Sequence, residues 1–168
     1  MGAEKEYLSE YNRLYKENDE LYRNAAKALG LSDCAFWILY FLRESNAELT
    51  QSEVCSAIYA PKQTVNSSLK KLADEGYLQL AEGNDRRSKL IKLTEAGAEL
   101  AARTVDRVLK AELRAFRKMT ADEQAFFLGL FHRYTNLLKR EFENIGEEDH
   151  KKESKFEKDS KSEKEWEI

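Results

Sequence analysis

The chain of 168 residues has room for one domain, or one domain with an appended tail. Charged residues make up 35 % and hydrophobic residues 42 %, and a single Pro with seven Gly favours helices over an all-β design. No apolar run approaches the roughly 18–20 residues of a membrane span, and the polar start Met1-Gly2-Ala3-Glu4-Lys5-Glu6 lacks the apolar stretch of a secretory leader, so a cytoplasmic protein without membrane contact is expected.

Residues 4–29 predict one long helix. Leu8, Tyr11, Tyr15, Asn18, Tyr22, Ala25 and Leu29 alternate spacings of three and four, the seam of a packed or coiled helix, and Gly30 is a suitable stop. Ser32 can cap a second helix over 33–45. Its run Phe36-Trp37-Ile38-Leu39-Tyr40-Phe41-Leu42 is apolar on nearly every side, which places it at the centre of the domain.

Thr50 and Glu53 form a capping box that opens a short third helix, 51–59. Pro61 suits the first turn of a fourth, 61–75. On that helix Val65, Leu69 and Leu72 share one face, and Gln63, Asn66, Ser67, Lys70 and Lys71 occupy the other. Gly76 ends it. Tyr77–Leu80 then predicts a strand, 82–85 a turn and Leu90–Leu93 the returning strand. Thr94 caps a fifth helix reaching about Lys118, and Thr120 with Glu123 caps a sixth over 121–145. From Gly146 onward Glu, Lys, Asp and Ser dominate, with only Phe156, Trp166 and Ile168 apolar, so disorder or a solvated helix is expected there. A docking peptide built on Trp166 is the alternative.

The fold class that follows is mainly α with a small β-hairpin: a helix, a central helix, a short helix, a polar-faced helix, then a strand, a basic turn and a strand. This is the order of a winged helix-turn-helix. Such a protein needs one exposed helix narrow enough for a major groove roughly 12 Å wide, with its apolar back fixed to a rigid body. Gln63, Thr64, Asn66 and Ser67 offer donors and acceptors at the helix start, where base edges are met, and Lys70 and Lys71 lie further along, where phosphates are. At the hairpin, Arg86, Arg87 and Lys89 fall within four residues, and an arginine at such a tip enters the minor groove or bridges phosphates. The formal net charge of −3 is a weak objection: the tail from Gly146 carries all of it, and local charge governs phosphate contacts at a Debye length of about 8–10 Å. Both features also have plain readings, as a solvated amphipathic face and as an arginine paired with Asp85.

The run from Pro61-Lys62-Gln63-Thr64-Val65-Asn66-Ser67-Ser68-Leu69-Lys70-Lys71-Leu72 to Ala73-Asp74-Glu75-Gly76-Tyr77-Leu78, followed by Asp85-Arg86-Arg87-Ser88-Lys89-Leu90-Ile91-Lys92-Leu93-Thr94-Glu95-Ala96-Gly97, resembles the MarR family of bacterial transcriptional regulators. The similarity covers residues 4–145 in helix order. It implies a six-helix winged-helix homodimer that binds palindromic double-stranded DNA, as a repressor released by a small effector or by oxidation. The family's Asp-x-Arg-Asp-Arg-Arg wing run lacks its first arginine here, where Glu82-Gly83-Asn84 stands, which leaves Arg87 with Arg86 beside it as the matched wing contact. Residues 1–30 and 100–145 then form a dimerisation region, 31–99 the DNA-binding domain and 146–168 the tail. The resemblance also implies a pocket for a phenolic or other aromatic effector near Tyr11, Trp37 and Phe41, residues that serve equally well as core.

Cys34 begins the second helix, where a helix N-terminus can lower a thiol pKa, so a thiol-based peroxide sensor is one alternative. A winged-helix module that binds protein and never DNA is another. Cys55 reads as a small core residue, and His132 and His150 lack companions at metal-ligand spacing. No Gly-rich phosphate loop, Ser/His/Asp order or paired carboxylates appear, so neither catalysis nor a cofactor or metal is expected.

Overall fold

The computed structural model describes residues 2–45, 49–58, 60–82 and 89–163, with side chains described as far as 145 except at 82 and 89. The chain divides into two units, residues 1–114 and 115–168. The first holds α1 (Gly2–Ala28), α2 (Asp33–Glu44), β1 (Leu49–Thr50), α3 (Gln51–Ile58), α4 (Lys62–Asp74), β2 (Leu78–Glu82), β3 (Lys89–Leu93), α5 (Glu95–Arg103) and most of α6 (Val105–Phe116). The second is chiefly α7 (Ala121–Glu163), whose backbone stays helical past Gly146 into the charged tail.

The central position of α2 follows from burial on two sides. Ile38 and Leu42 pack with Val54 of α3, Val65, Leu69 and Leu72 of α4, and Leu78 and Ile91 of the hairpin. Phe36 and Leu39 face the other way, into Ala26, Leu100, Ala101 and Val105. One helix thus joins both cores of the first unit, which is why nearly every position in it is apolar. Its start is capped by Ser32, whose hydroxyl accepts from the Ala35 N–H at 3.3 Å.

Two glycines end helices by left-handed turns. Gly30 (φ 72°) lets the Leu31 N–H reach the Ala26 carbonyl at 3.0 Å, and Gly76 (φ 80°) lets the Tyr77 N–H reach Leu72 at 2.9 Å. Both capping boxes form: the Thr50 N–H donates to the Glu53 carboxylate at 2.7 Å, and the Thr120 N–H to that of Glu123 at 2.7 Å. These bonds hold both carboxyls below the usual carboxylate range.

One expectation is corrected. The helix predicted from 94 to about 118 is two helices, which makes seven among the described residues where six are expected. The break is Thr104 (φ −119°, ψ −92°), which is buried and donates its hydroxyl to the Leu100 carbonyl at 2.5 Å. A threonine bonded back to the preceding turn bends a helix, and here the ladder is interrupted outright. The expected hairpin is present, and among the described residues a third strand joins it in the order β1-β3-β2, because Leu49 and Thr50 pair antiparallel with Ile91 and Leu90.

Candidate nucleic-acid interface

α3 and α4 form a helix-turn-helix whose second member is amphipathic. Val65, Leu69 and Leu72 are buried at 0, 5 and 3 % exposure and fix the back of α4 to α2 and the hairpin. At roughly 1.5–3 kcal/mol per buried aliphatic side chain, that stripe is ample to seat a 13-residue helix too short to persist alone. Pro61 sits at the N-cap, one position before the helical run, and its carbonyl accepts from the Thr64 N–H at 2.9 Å.

The outer face of α4 presents Gln63, Thr64, Ser67, Lys70 and Lys71, all exposed. Asn66 differs. It is half-buried and its Oδ1 accepts a hydrogen bond from Gln51 Nε2, so it ties α4 to α3. The Ser67 hydroxyl donates to the Gln63 carbonyl at 2.9 Å, and the Cys34 thiol reaches the Thr64 carbonyl at 3.9 Å, which fastens the first turn of α4 to the start of α2. Lys71 lies 3.9 Å from Glu75 in a pair whose side chains are 75 and 45 % exposed, an interaction worth little in water.

The wing's two strands pair from Leu78↔Leu93 through Leu80↔Ile91 to Glu82↔Lys89. Lys89 therefore stands at the tip end of β3, while Arg86 and Arg87 lie outside the described residues. Two contacts root the hairpin. The Thr94 hydroxyl donates to the Gly76 carbonyl at 2.6 Å and also caps α5, accepting from the Gly97 N–H at 3.0 Å. The Thr94 N–H donates to the Tyr77 carbonyl at 3.1 Å.

Side chains from three helices meet at Glu112 of α6. The Tyr22 hydroxyl of α1 donates to Oε1 at 2.5 Å and the Tyr40 hydroxyl of α2 to Oε2 at 2.8 Å. Burial first, and then this shared carboxylate, push both phenols above the usual tyrosine value. Nearby, the Arg43 guanidinium grips Asp106 with two bonds of 2.8 and 2.6 Å. No local pattern announces these partners, which lie 63 to 90 residues apart in the chain.

Of the residues expected around an effector, Trp37 and Phe41 stack with centroids 5.8 Å apart, and Trp37 also meets Tyr22 at 5.1 Å and Tyr40 at 5.2 Å. Tyr11 is half-buried, with its ring 6.3 Å from that of Tyr15. Cys34 and Cys55 are both free and half-buried at the margin of the core that holds Ile38. Among the described residues no group of His, Cys, Asp or Glu is placed to hold a metal, and no single helix is long and apolar enough to cross a membrane.

An amphipathic helix seated after a short helix, beside a hairpin rooted in the same core, defines the winged helix-turn-helix class. Residues 29–88, which hold α2, α3, α4 and β2, match the MarR family. An HTH-type transcriptional regulator of Bacillus subtilis, YwoH, is 27 % identical over 119 residues, 71 % of this chain and 82 % of that protein. The structure of NMB1585, a MarR family regulator from Neisseria meningitidis, superposes with a TM-score of 0.71 at 22 % identity, over 82 % of this chain and 97 % of that one. The S. aureus MepR–DNA complex superposes with a TM-score of 0.60 at 17 % identity, over 79 % and 97 %. Over residues 29–88 the chain is similar to the MarR family, and it shares the fold of these regulators.

Proposed function

We propose that this chain is a homodimeric, sequence-specific regulator that binds a palindromic operator and represses until a small effector releases it. The observation that carries the reading is the face of α4: a row of exposed polar and basic side chains on a helix whose apolar back is immobilised. In this reading Gln63, Thr64 and Ser67 meet base edges, Lys70 and Lys71 meet phosphates, and Arg86, Arg87 and Lys89 bring the wing to the backbone or the minor groove. Asn66, engaged by Gln51, orients the helix and is left with its amide for DNA. The polar character of α4 weighs against a module that binds only protein. MepR supports the reading by analogy, since its structure on this fold is a DNA complex.

Dimerisation is supported by apolar surface the chain leaves uncovered. On α1, Tyr7, Leu14 and Leu21 repeat every seven residues at 76, 51 and 64 % exposure. On α7, Leu130 and Leu137 repeat likewise, with Phe126, Phe127, Phe131, Phe142 and Ile145 also exposed. Apolar rows of this length mark a partner surface. A twofold pair would set two α4 helices about 34–36 Å apart, one DNA turn. A phenolic or aromatic effector would fit beside Tyr11, Trp37 and Phe41.

A second reading rests on Cys34. Its thiol touches the Thr64 carbonyl, so oxidation to a sulfenic acid would place a new oxygen against the first turn of α4 and loosen DNA. A Cys34→Ser variant that keeps its peroxide response removes that reading. The main proposal is tested by selecting bound duplexes from random DNA with the purified full chain. Enrichment of a palindrome by a dimer is expected, and no enrichment over background overturns it.

A further inference from the structure

Gln51 opens α3, and Asn66 lies in the second turn of α4. Both backbones are fixed from behind: Val54, three residues after Gln51, and Val65, next to Asn66, are fully buried in one core. The Thr50–Glu53 box and the pairing of Thr50 with Leu90 hold the start of α3 to the sheet. The two amides are half-buried and share one hydrogen bond, in which Gln51 Nε2 donates to Asn66 Oδ1. That bond has a direction, and the direction sorts the two ends of the Asn66 amide. The oxygen is turned to α3. The nitrogen donates to nothing among the described residues, and none of those has a buried polar side-chain atom without a partner, so Nδ2 opens to solvent. Lys62, Gln63 and Lys70, three or four residues away along the helix, are all exposed, so this nitrogen borders the outward face.

A free asparagine amide reads adenine with both atoms at once, accepting from N6 and donating to N7. Asn66 has its oxygen occupied on the α3 side and offers the groove a donor alone. In the major groove guanine and thymine present keto acceptors, O6 and O4, whereas cytosine presents only the N4 amino donor. Adenine keeps an N7 acceptor but loses the two-point contact that singles it out. A donor set against a donor leaves both unpaired in a closed interface, which is worse than no contact. We infer that Gln51, although it belongs to α3, sets the base preference of α4: it holds Asn66 with its donor outward, so that one position per half-site takes guanine or thymine and rejects cytosine. Gln51 is thus a positioning residue that acts through Asn66. The inference rests on the reading of α4 as the DNA-facing helix.

The test repeats the selection of duplexes from random DNA with the full-length parent, Q51E and N66D. In Q51E the carboxylate accepts and cannot donate, so the Asn66 amide turns over, with Nδ2 toward α3 and Oδ1 outward. An acid in the first turn suits a helix, so Q51E is expected to fold like the parent. N66D keeps the bond from Gln51 and also puts an acceptor outward, which covers the case of a Q51E protein that fails to fold. At one position per half-site the parent is expected to prefer guanine or thymine over cytosine by about fivefold or more, and both variants to reverse that order with the other positions unchanged. A folded variant with the parent's preference at every position, or with discrimination weakened evenly over all positions, overturns the inference. Side-chain amide exchange, measured by NMR on the parent without DNA, gives an independent reading. The Gln51 amide is expected to exchange more slowly than that of Asn66, and the reverse order overturns the inference. A parent that enriches no duplex overturns the proposed function and the base preference with it, whereas a parent that enriches a palindrome read identically by Q51E overturns the inference alone.

Discussion

Gly97 of α5 lies directly against the backbone of Tyr77: a methyl group built on it would stand 1.9 Å from the Tyr77 carbonyl oxygen. The obstacle is main chain, which also accepts the Thr94 N–H, so it cannot swing aside as a side chain would. This contact locks the base of the wing to α5. Gly97→Ala is expected to destabilise the fold by about 1–3 kcal/mol or more, although alanine is the better helix former. Chemical denaturation measures it, and an unchanged midpoint would contradict the contact.

The paired phenols on Glu112 make an alkaline signature. A group whose folded pKa is raised contributes stability fully present below the unfolded value, here 10.0, and loses it as pH rises through the folded value. The parent protein is therefore expected to lose stability steeply above about pH 10, and the Y22F/Y40F variant more gently. At neutral pH that variant is expected to be less stable by on the order of 1–3 kcal/mol, because the half-buried Glu112 is deprived of both donors. Urea titrations at neutral and alkaline pH check both statements.

The Arg43–Asp106 pair acts at the opposite end of the pH range. The Arg43 hydrogen bonds hold the Asp106 carboxyl below its ordinary value of 3.8, so the contribution is present above that value and disappears as pH falls through the lower folded value. Because the Arg43 side chain is 38 % exposed, Asp106→Asn is expected to cost only about 0.5–1.5 kcal/mol at pH 7. The gap between parent and variant is expected to close as pH falls below 3.8 and through the lower folded value. A constant gap in acid melts would show that the pair contributes through packing.

Much of this architecture is legible in the residues themselves. The run Phe36–Leu42 announces a helix buried on more than one side, and the alternation of Val65, Leu69 and Leu72 with Gln63, Ser67 and Lys70 announces a helix with one face outward. The capping boxes at Thr50 and Thr120 are readable because they are local. The break at Thr104 is hidden because the apolar sequence Leu100, Val105, Val108 runs through it with no Gly or Pro. β1 is two residues long and exists only through its pairing with β3. The half-burial of Asn66, the Glu112 junction and the clearance at Gly97 are tertiary facts that no periodicity encodes.

Asn66 and Gln63 separate two roles that the sequence places side by side. Asn66→Ala is expected to destabilise the fold, since it strands the Gln51 amide, while Gln63→Ala leaves stability within about 0.5 kcal/mol. Thermal melts of the two variants check this, and equal destabilisation would mean that Gln63 also has a structural partner.

The outward face of α4 as a DNA-reading surface is tested most directly by the salt dependence of binding to the selected duplex, measured by anisotropy for the parent, Lys70→Ala and Gln63→Ala. Lys70→Ala is expected to lower the slope of log K against log salt by about 0.9 for each phosphate it no longer neutralises. Gln63→Ala is expected to keep the slope and to reduce discrimination by about 1–3 kcal/mol at one base position per half-site. Slopes and base preferences unchanged in both variants would contradict a DNA-reading role for α4.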